Sequence, residues 1–410
     1  MTPPERPIRW REAMATALYG PDGFFVSGPG PAAHFRTSVH ASPVFTSCLL
    51  RLLSSLDAAL GQPARLDVVD VGAGRGELLR SLSVAVGVSG DPTRSGRSGL
   101  IPPRAGSPET LTTTAAARLS PPTGPRSVGS PATPAPMAER VRLVAVEKAP
   151  RPDDLPAEIE WVDEIPQGIT GLLVATEWLD NVPLDLTVHT AEGWRYLLVD
   201  PTTGEESTGD PVAPEDATWL NQWWPSPSPT PTAPLIKKFA SGPDAKSDAN
   251  LLINGVEVRA EVGRSRDEAW VEAVGRIDRG LALAVDYGHL RDERPVGGTL
   301  TGYRGGRQVS PAPDGSCDVT AHVAMDSVAS AGEQVARCAY TLVSQREGLR
   351  ALGADGGRPP LSLASRDPAG YLRALAAASA VAELTDPAGL GGHWWLLQPV
   401  GVALDPLMAR

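Results

Sequence analysis

The segment VVDVGAGRGELL places Gly72, Gly74 and Gly76 where an apolar run gives way to a helical pattern. The backbone must turn sharply at such a junction, and without a Cβ a ligand can come close to the chain. Dinucleotide sites use G-x-G-x-x-G, whose third glycine lets helix and strand pack closely. Here that position is Glu77, and the third glycine comes one residue early. Asp70, just before the loop, suits a cationic ligand better than a pyrophosphate. A structural turn without a ligand, and a nicotinamide or flavin site, are the competing readings of these glycines. Two more acids extend the pattern. Glu147 ends VRLVAVE, where a carboxylate can accept both hydroxyls of a ribose. Such an acid normally follows the loop by about 20 residues, whereas the gap here is roughly 70. Asp163 ends IEWVD, placed to accept a hydrogen bond from an adenine amino group. Three acids at three successive strand ends mark the sheet edge at which α/β folds bind ligands.

The elements that must position these residues read as alternating strands and helices. Strands are expected at Arg65–Gly72, Val141–Glu147, Ile159–Asp163, Gly171–Glu177 and Leu281–Gly288, with a helix over Arg75–Val86. Near-continuous apolar strands suit a mostly parallel sheet covered by helices on both faces, an α/β fold. Late strands at Cys338–Gln345 and His393–Val400 flank a helix over Tyr371–Leu384. LDLTVHTAEGWRYLLVD reads as a hairpin inserted between the fourth and fifth strands. Residues 1–64 are expected to form a helical extension or lid, and 65–410 one α/β domain with additions.

Gly (42) and Pro (41) make up about a fifth of the 410 residues. Much of the excess falls in two segments: about 87–138, expected to be a disordered insert, and about 224–250, a Pro-rich linker beginning PSPSPTPTAP. Removing the first restores a near-normal spacing between the glycine loop and Glu147. A net charge of −11 argues against a non-specific nucleic-acid binder. Three scattered cysteines suggest neither a disulfide framework nor a metal site. The N-terminus lacks an apolar signal region and no apolar stretch could span a bilayer, so a cytoplasmic protein without membrane association is expected.

G-x-G-x-G after an acidic strand residue resembles the first motif of class I S-adenosylmethionine methyltransferases, whose ligand carries a sulfonium and an amino acid but no phosphate. A longer series, in matching order, resembles the MidA-type methyltransferases. Its segments are ALYGPDGFF (17–25), HFRTS (34–38), the glycine loop, ATEWLDNVPLDL (175–186), AVDYGH (284–289), GTLTGYRGG (298–306) and DVTAHV (318–323). That family's first motif looks like E-L-G-P-G-R-G, and the change to D-V-G-A-G-R-G keeps the acid and all three glycines. The resemblance implies a class I, Rossmann-like methyltransferase fold with S-adenosyl-L-methionine as cofactor. It implies Asp70, Gly72, Gly74, Gly76, Glu147 and Asp163 around that cofactor, and a protein arginine as substrate. Glu177 and Asp180, just past the fourth strand, are then the carboxylates expected to hold a guanidinium, with Asp286 in support. Asp180 could instead cap the following turn, and Asp286 could brace Tyr287. His289 and His322 are candidate bases, and Arg36 and Arg75 candidate partners for the cofactor carboxylate. Other readings are a cofactor-binding assembly protein without turnover and a small-molecule methyltransferase. Oligomeric state stays open.

Overall fold

In a computed structural model, the structure describes residues 6–27, 43–88, 134–225, 252–253, 256–354 and 356–403. The bulk of the insert expected at 87–138, most of the linker expected at 224–250, and Arg36 with the HFRTS motif lie outside the described residues.

The central sheet has seven strands: β1 (Leu66–Val71), β2 (Val141–Val146), β3 (Ile159–Val162), β4 (Ile169–Thr176), β5 (Ile277–Asp286), β6 (Thr341–Ser344) and β7 (Trp394–Val400). Their order across the sheet is β3-β2-β1-β4-β5-β7-β6. The first five run parallel, and β7 lies antiparallel to both β5 and β6. Val68 pairs with Leu143 on one side and Leu172 on the other, which sets the register at the middle of the sheet.

Side chains alternate across the two faces with the period of a strand. Val68, Leu143, Leu172 and Leu283 meet Leu49, Leu52 and Leu56 of helix Pro43–Ala59, and Leu78, Leu79 and Leu82 of helix Glu77–Val86. Val69, Val144, Leu173 and Ala282 meet Trp270, Ala273 and Val274 of helix Arg264–Gly275, and Val328 and Ala329 of helix Met325–Ala336. Because both faces are covered, all six residues of β1 are buried. Each fully buried aliphatic side chain contributes about 1.5–3 kcal/mol. Two glycines allow neighbouring strands to approach. A Cβ on Gly171 would lie 2.0 Å from the Asp67 carbonyl oxygen, and one on Gly280 would lie 1.9 Å from that of Gly171.

The hairpin between β4 and β5 forms from Asp185–Thr190 and Gly193–Val199. It belongs to a larger antiparallel sheet than the sequence suggested. Ile8–Arg9 and Glu206–Pro211 pair with Gly193–Val199, and Arg259–Val262 pairs with Asp185–Thr190. Trp10, Met14 and Leu18 of helix Trp10–Tyr19 pack on Leu186, Val188 and Leu197 of this sheet. The Arg9 guanidinium donates to Asp185, with Nε–Oδ1 at 3.0 Å. A three-stranded sheet then joins Thr301–Arg304 to Arg307–Val309 and Asp318–Thr320. Polar, glycine-rich sequence hid these short strands. Among the described residues no helix is long and apolar enough to cross a membrane.

Candidate functional site

The C-terminal ends of β1, β2, β4 and β5 open into a cleft of about 1600 Å³. That exceeds the roughly 300–1,000 Å³ of a site for one small ligand. One end is built by the glycine loop. Gly72, Gly74 and Gly76 take φ values of 71°, 59° and 81°, the left-handed region that glycine enters without a steric penalty. Gly72 and Gly74 line the cleft together with Asp70, Glu147 and Asp163. Thus five of the six expected cofactor residues share one wall. Gly76 stands behind it. Its bare Cα makes room for Leu155, whose Cδ1 would lie 2.6 Å from an added Cβ, and it begins helix Glu77–Val86.

Glu147 bridges two strand ends. Its Oε2 accepts from the Gly74 amide at 3.0 Å, and its Oε1 from the amides of Lys148 at 2.7 Å and Ala149 at 3.2 Å. Burial raises its carboxyl above the ordinary range, and those amides pull it back. Asp70 is also buried, and its Oδ1 has no hydrogen-bond partner among the described residues. Burial pushes this carboxyl well above its usual value, and the nearby Glu77 and Glu147 add to the push. A buried acid in that state fits a cationic ligand group, which would supply the missing partner and favour ionisation. Asp163 is exposed, and its backbone carbonyl accepts from Lys148 Nζ at 2.8 Å.

The other end gathers Glu177, Asp180 and Asp318, with Tyr19, Trp178 and Tyr287 among the aromatic walls. Glu177 has φ 52°, unusual for a side chain with a Cβ, and its amide donates to the Val285 carbonyl at 2.8 Å. Strain of this kind costs on the order of 1–3 kcal/mol and concentrates at functional sites. Asp180 Oδ2 accepts from Thr320 Oγ1 at 2.6 Å and from the Tyr287 hydroxyl, while the buried Oδ1 has no hydrogen-bond partner among the described residues. Asp286, expected beside the substrate, lies behind the wall. Its Oδ2 accepts from the amides of Leu179 at 3.0 Å and Asp180 at 3.3 Å, so it holds the turn that presents Asp180.

Arg266 is fully buried beneath this turn. It donates to the carbonyls of Val182, Ala321, His322 and Asp180, and so ties the turn to the strand carrying Asp318. No described carboxylate hydrogen-bonds it, although its charge acts on Glu261, Asp180 and Asp286. Asp318, within the segment DVTAHV, is not among the acids that strand-end position nominates. Its signal lay in the pairing of that segment with GTLTGYRGG: Tyr303 faces Asp318 across the two strands. Burial and the charge of Asp180 push the Asp318 carboxyl up to about 8.

The candidate bases are neutral. His322 lines the cleft at 5.1 Å from the Tyr287 ring, and burial lowers its imidazole. His289 lies deeper, accepts from Arg294 through Nδ1 at 2.7 Å, and is pushed down to about 3 by burial and that guanidinium. His393, which the sequence reading did not single out, also lines the cleft and is lowered to about 4.

Comparison with known proteins identifies the fold and the family. The chain resembles a COG1565 superfamily protein from Burkholderia thailandensis whose crystal structure holds S-adenosyl-homocysteine, with TM-score 0.64 and 21% identity over 98% of this chain and 90% of that one. A native structure of a COG1565 superfamily protein from the same organism matches with TM-score 0.63 and 20% identity, over the same shares. Identity this low establishes the fold, a class I-like methyltransferase architecture. No curated protein matches the chain significantly. Residues 116–343, which include Glu147, Asp163, Glu177, Asp180 and Asp318, match the model of a family described as "Putative S-adenosyl-L-methionine-dependent methyltransferase". That match spans more than half of the chain, which therefore belongs to this family and takes S-adenosyl-L-methionine as its cofactor.

Proposed function

We propose that the chain transfers a methyl group from S-adenosyl-L-methionine to an arginine side chain of a protein, as a MidA-type methyltransferase. The observation that carries this reading is the acidic end of the cleft. Glu177, Asp180 and Asp318 line it together, and the nearby buried Arg266 makes its hydrogen bonds to backbone carbonyls. A cleft end lined by carboxyl groups favours a cationic substrate over a neutral one, because the incoming charge favours ionisation of those acids. A guanidinium also offers planar, paired donors that carboxylates recognise in two-point geometry.

Asp70, Gly72, Gly74, Glu147 and Asp163 are the residues that would hold the cofactor, with Gly76 shaping the loop from behind. The bound cofactor supplies an electrophilic methyl on a sulfonium centre with a good leaving group. The protein's own contribution is therefore alignment and exclusion of water. Glu177 and Asp180 would fix the guanidinium plane, while Tyr287 and Thr320 fix Asp180. Of the segment 1–64, helix Pro43–Ala59 packs on the central sheet as part of its core, and we assign the covering role to the part that carries Tyr19 and Phe25 on the cleft wall.

The test is transfer of labelled methyl from S-adenosyl-L-methionine to peptide pools by the full chain, read by mass spectrometry. Methylarginine in arginine peptides, with no label in lysine counterparts, is the expected result. Cofactor binding without transfer to any peptide would point to a binding role instead. Label appearing only in small molecules would point to another substrate class.

A further inference from the structure

Two buried acids at the acidic end of the cleft, Asp180 and Asp318, are treated differently by their surroundings. Asp180 is 2% exposed, and its carboxyl accepts from the hydroxyls of Thr320 and Tyr287. Burial raises its carboxyl above the ordinary range, and those hydroxyls and the Arg266 guanidinium pull it part of the way back toward the anion. Asp318 is 5% exposed, and its one side-chain hydrogen bond among the described residues comes from Asn181 Nδ2, at 2.8 Å. Asp180 on the turn is the charge that raises it, and Tyr19 on helix Trp10–Tyr19, Tyr303 on the paired strand, and Cys317 and His322 on its own segment lie around it. Burial keeps the His322 imidazole neutral, and Arg304 at the end of the paired strand donates to Ser316 rather than to Asp318. Where two neighbouring acids have environments that separate their proton affinities, the two are suited to different tasks.

Resting on the arginine reading above, we propose that Asp318 is the proton acceptor of the reaction, while Asp180 is the anion that holds the guanidinium. A guanidinium entering the cleft displaces the proton of Asp318 to solvent. As the N–C bond forms, the S–C bond breaks and its electron pair stays on sulfur. The N–H proton of the attacking nitrogen passes to the Asp318 carboxylate. The product remains a methylguanidinium cation, and Asp318 returns its proton to solvent when that product leaves. The raised proton affinity of Asp318, up to about 8, matches a base working near neutral pH.

The experiment uses the full chain and two readouts. The first is calorimetric titration of methylguanidine at pH 7 in two buffers of different ionisation enthalpy, which counts protons released. Wild type is expected to release a substantial fraction of one proton, and Asp318→Asn none. The second is the pH–rate profile on an arginine peptide. Asp318→Asn is expected to lose about 10²–10⁴-fold in kcat with little change in KM, and to lose the acidic limb of the profile. Asp318→Glu is expected to recover part of both, which separates a proton role from misfolding. Methylguanidine binding to wild type without proton release overturns the assignment. So does an Asp318→Asn protein that keeps the acidic limb and a near-normal rate. A wild type that methylates no arginine, yet shows Asp318-dependent proton release with methylguanidine, refutes the arginine reading while upholding the assigned protonation behaviour of Asp318.

Discussion

Asp70 offers a test in which stability and function move in opposite directions. Its carboxyl is buried with Oδ1 unpartnered among the described residues, and burial together with Glu77 and Glu147 raises its proton affinity well above normal. The folded, cofactor-free protein therefore holds a proton that the unfolded chain has released. The stability this contributes is complete below the ordinary carboxylate range and is lost as pH rises toward the folded-state value. Asp70→Asn is close in shape and does not titrate, so its Tm relative to wild type should rise between pH 5 and pH 8. Cofactor binding should go the other way. If Asp70 meets a cationic group of the cofactor, the substitution removes a charge-assisted hydrogen bond of about 1.5–3 kcal/mol, or about 10–150-fold in affinity. Thermal melts across that pH range, with and without S-adenosylhomocysteine, and calorimetric titration of the same ligand measure both quantities. A variant that binds within about threefold of wild type would refute the cation-pairing role. One whose relative Tm does not change with pH would refute the burial argument.

Three further outcomes follow from the packing. Gly280→Ala should prevent folding, because its Cβ would lie 1.9 Å from a β4 carbonyl oxygen at φ 158°; soluble yield and circular dichroism report it. Arg266→Met should destabilise by at least about 1–3 kcal/mol, since it leaves the carbonyls of Asp180, Val182, Ala321 and His322 without their donor, and urea unfolding should show that loss even where coenzyme affinity survives. Asp57 and Arg140 form a two-point pair with both side chains 5% exposed, at 2.7 and 2.9 Å. Asp57→Leu alone should cost about 3–5 kcal/mol, and adding Arg140→Met should recover much of it, as a double-mutant cycle would show.

The parallel sheet could be read from the chain because each strand carries its own apolar run. β1, β2, β4 and β5 fell within a few residues of their expected positions, since local patterning and burial on both faces demand the same residues. The antiparallel additions were less visible. Ile8–Arg9 is too short to signal a strand, and Asp318–Thr320 is polar and pairs with a glycine-rich neighbour. Both exist because a partner strand far along the chain supplies their hydrogen bonds.

For the site, residue type and strand-end position were enough to nominate Asp70, Gly72, Gly74 and Glu147, because a glycine loop at a strand end leaves few physical alternatives. The acidic end was decided by tertiary structure. Spacing grouped Glu177, Asp180 and Asp286 alike, yet a hydrogen-bonded turn sends Asp286 behind the wall and leaves the other two on it. Asp318, more than a hundred residues beyond Asp180, stands on the cleft wall instead. A carboxylate's role depends on its solvent, its charged neighbours and its donors, and these come from segments that only folding brings together.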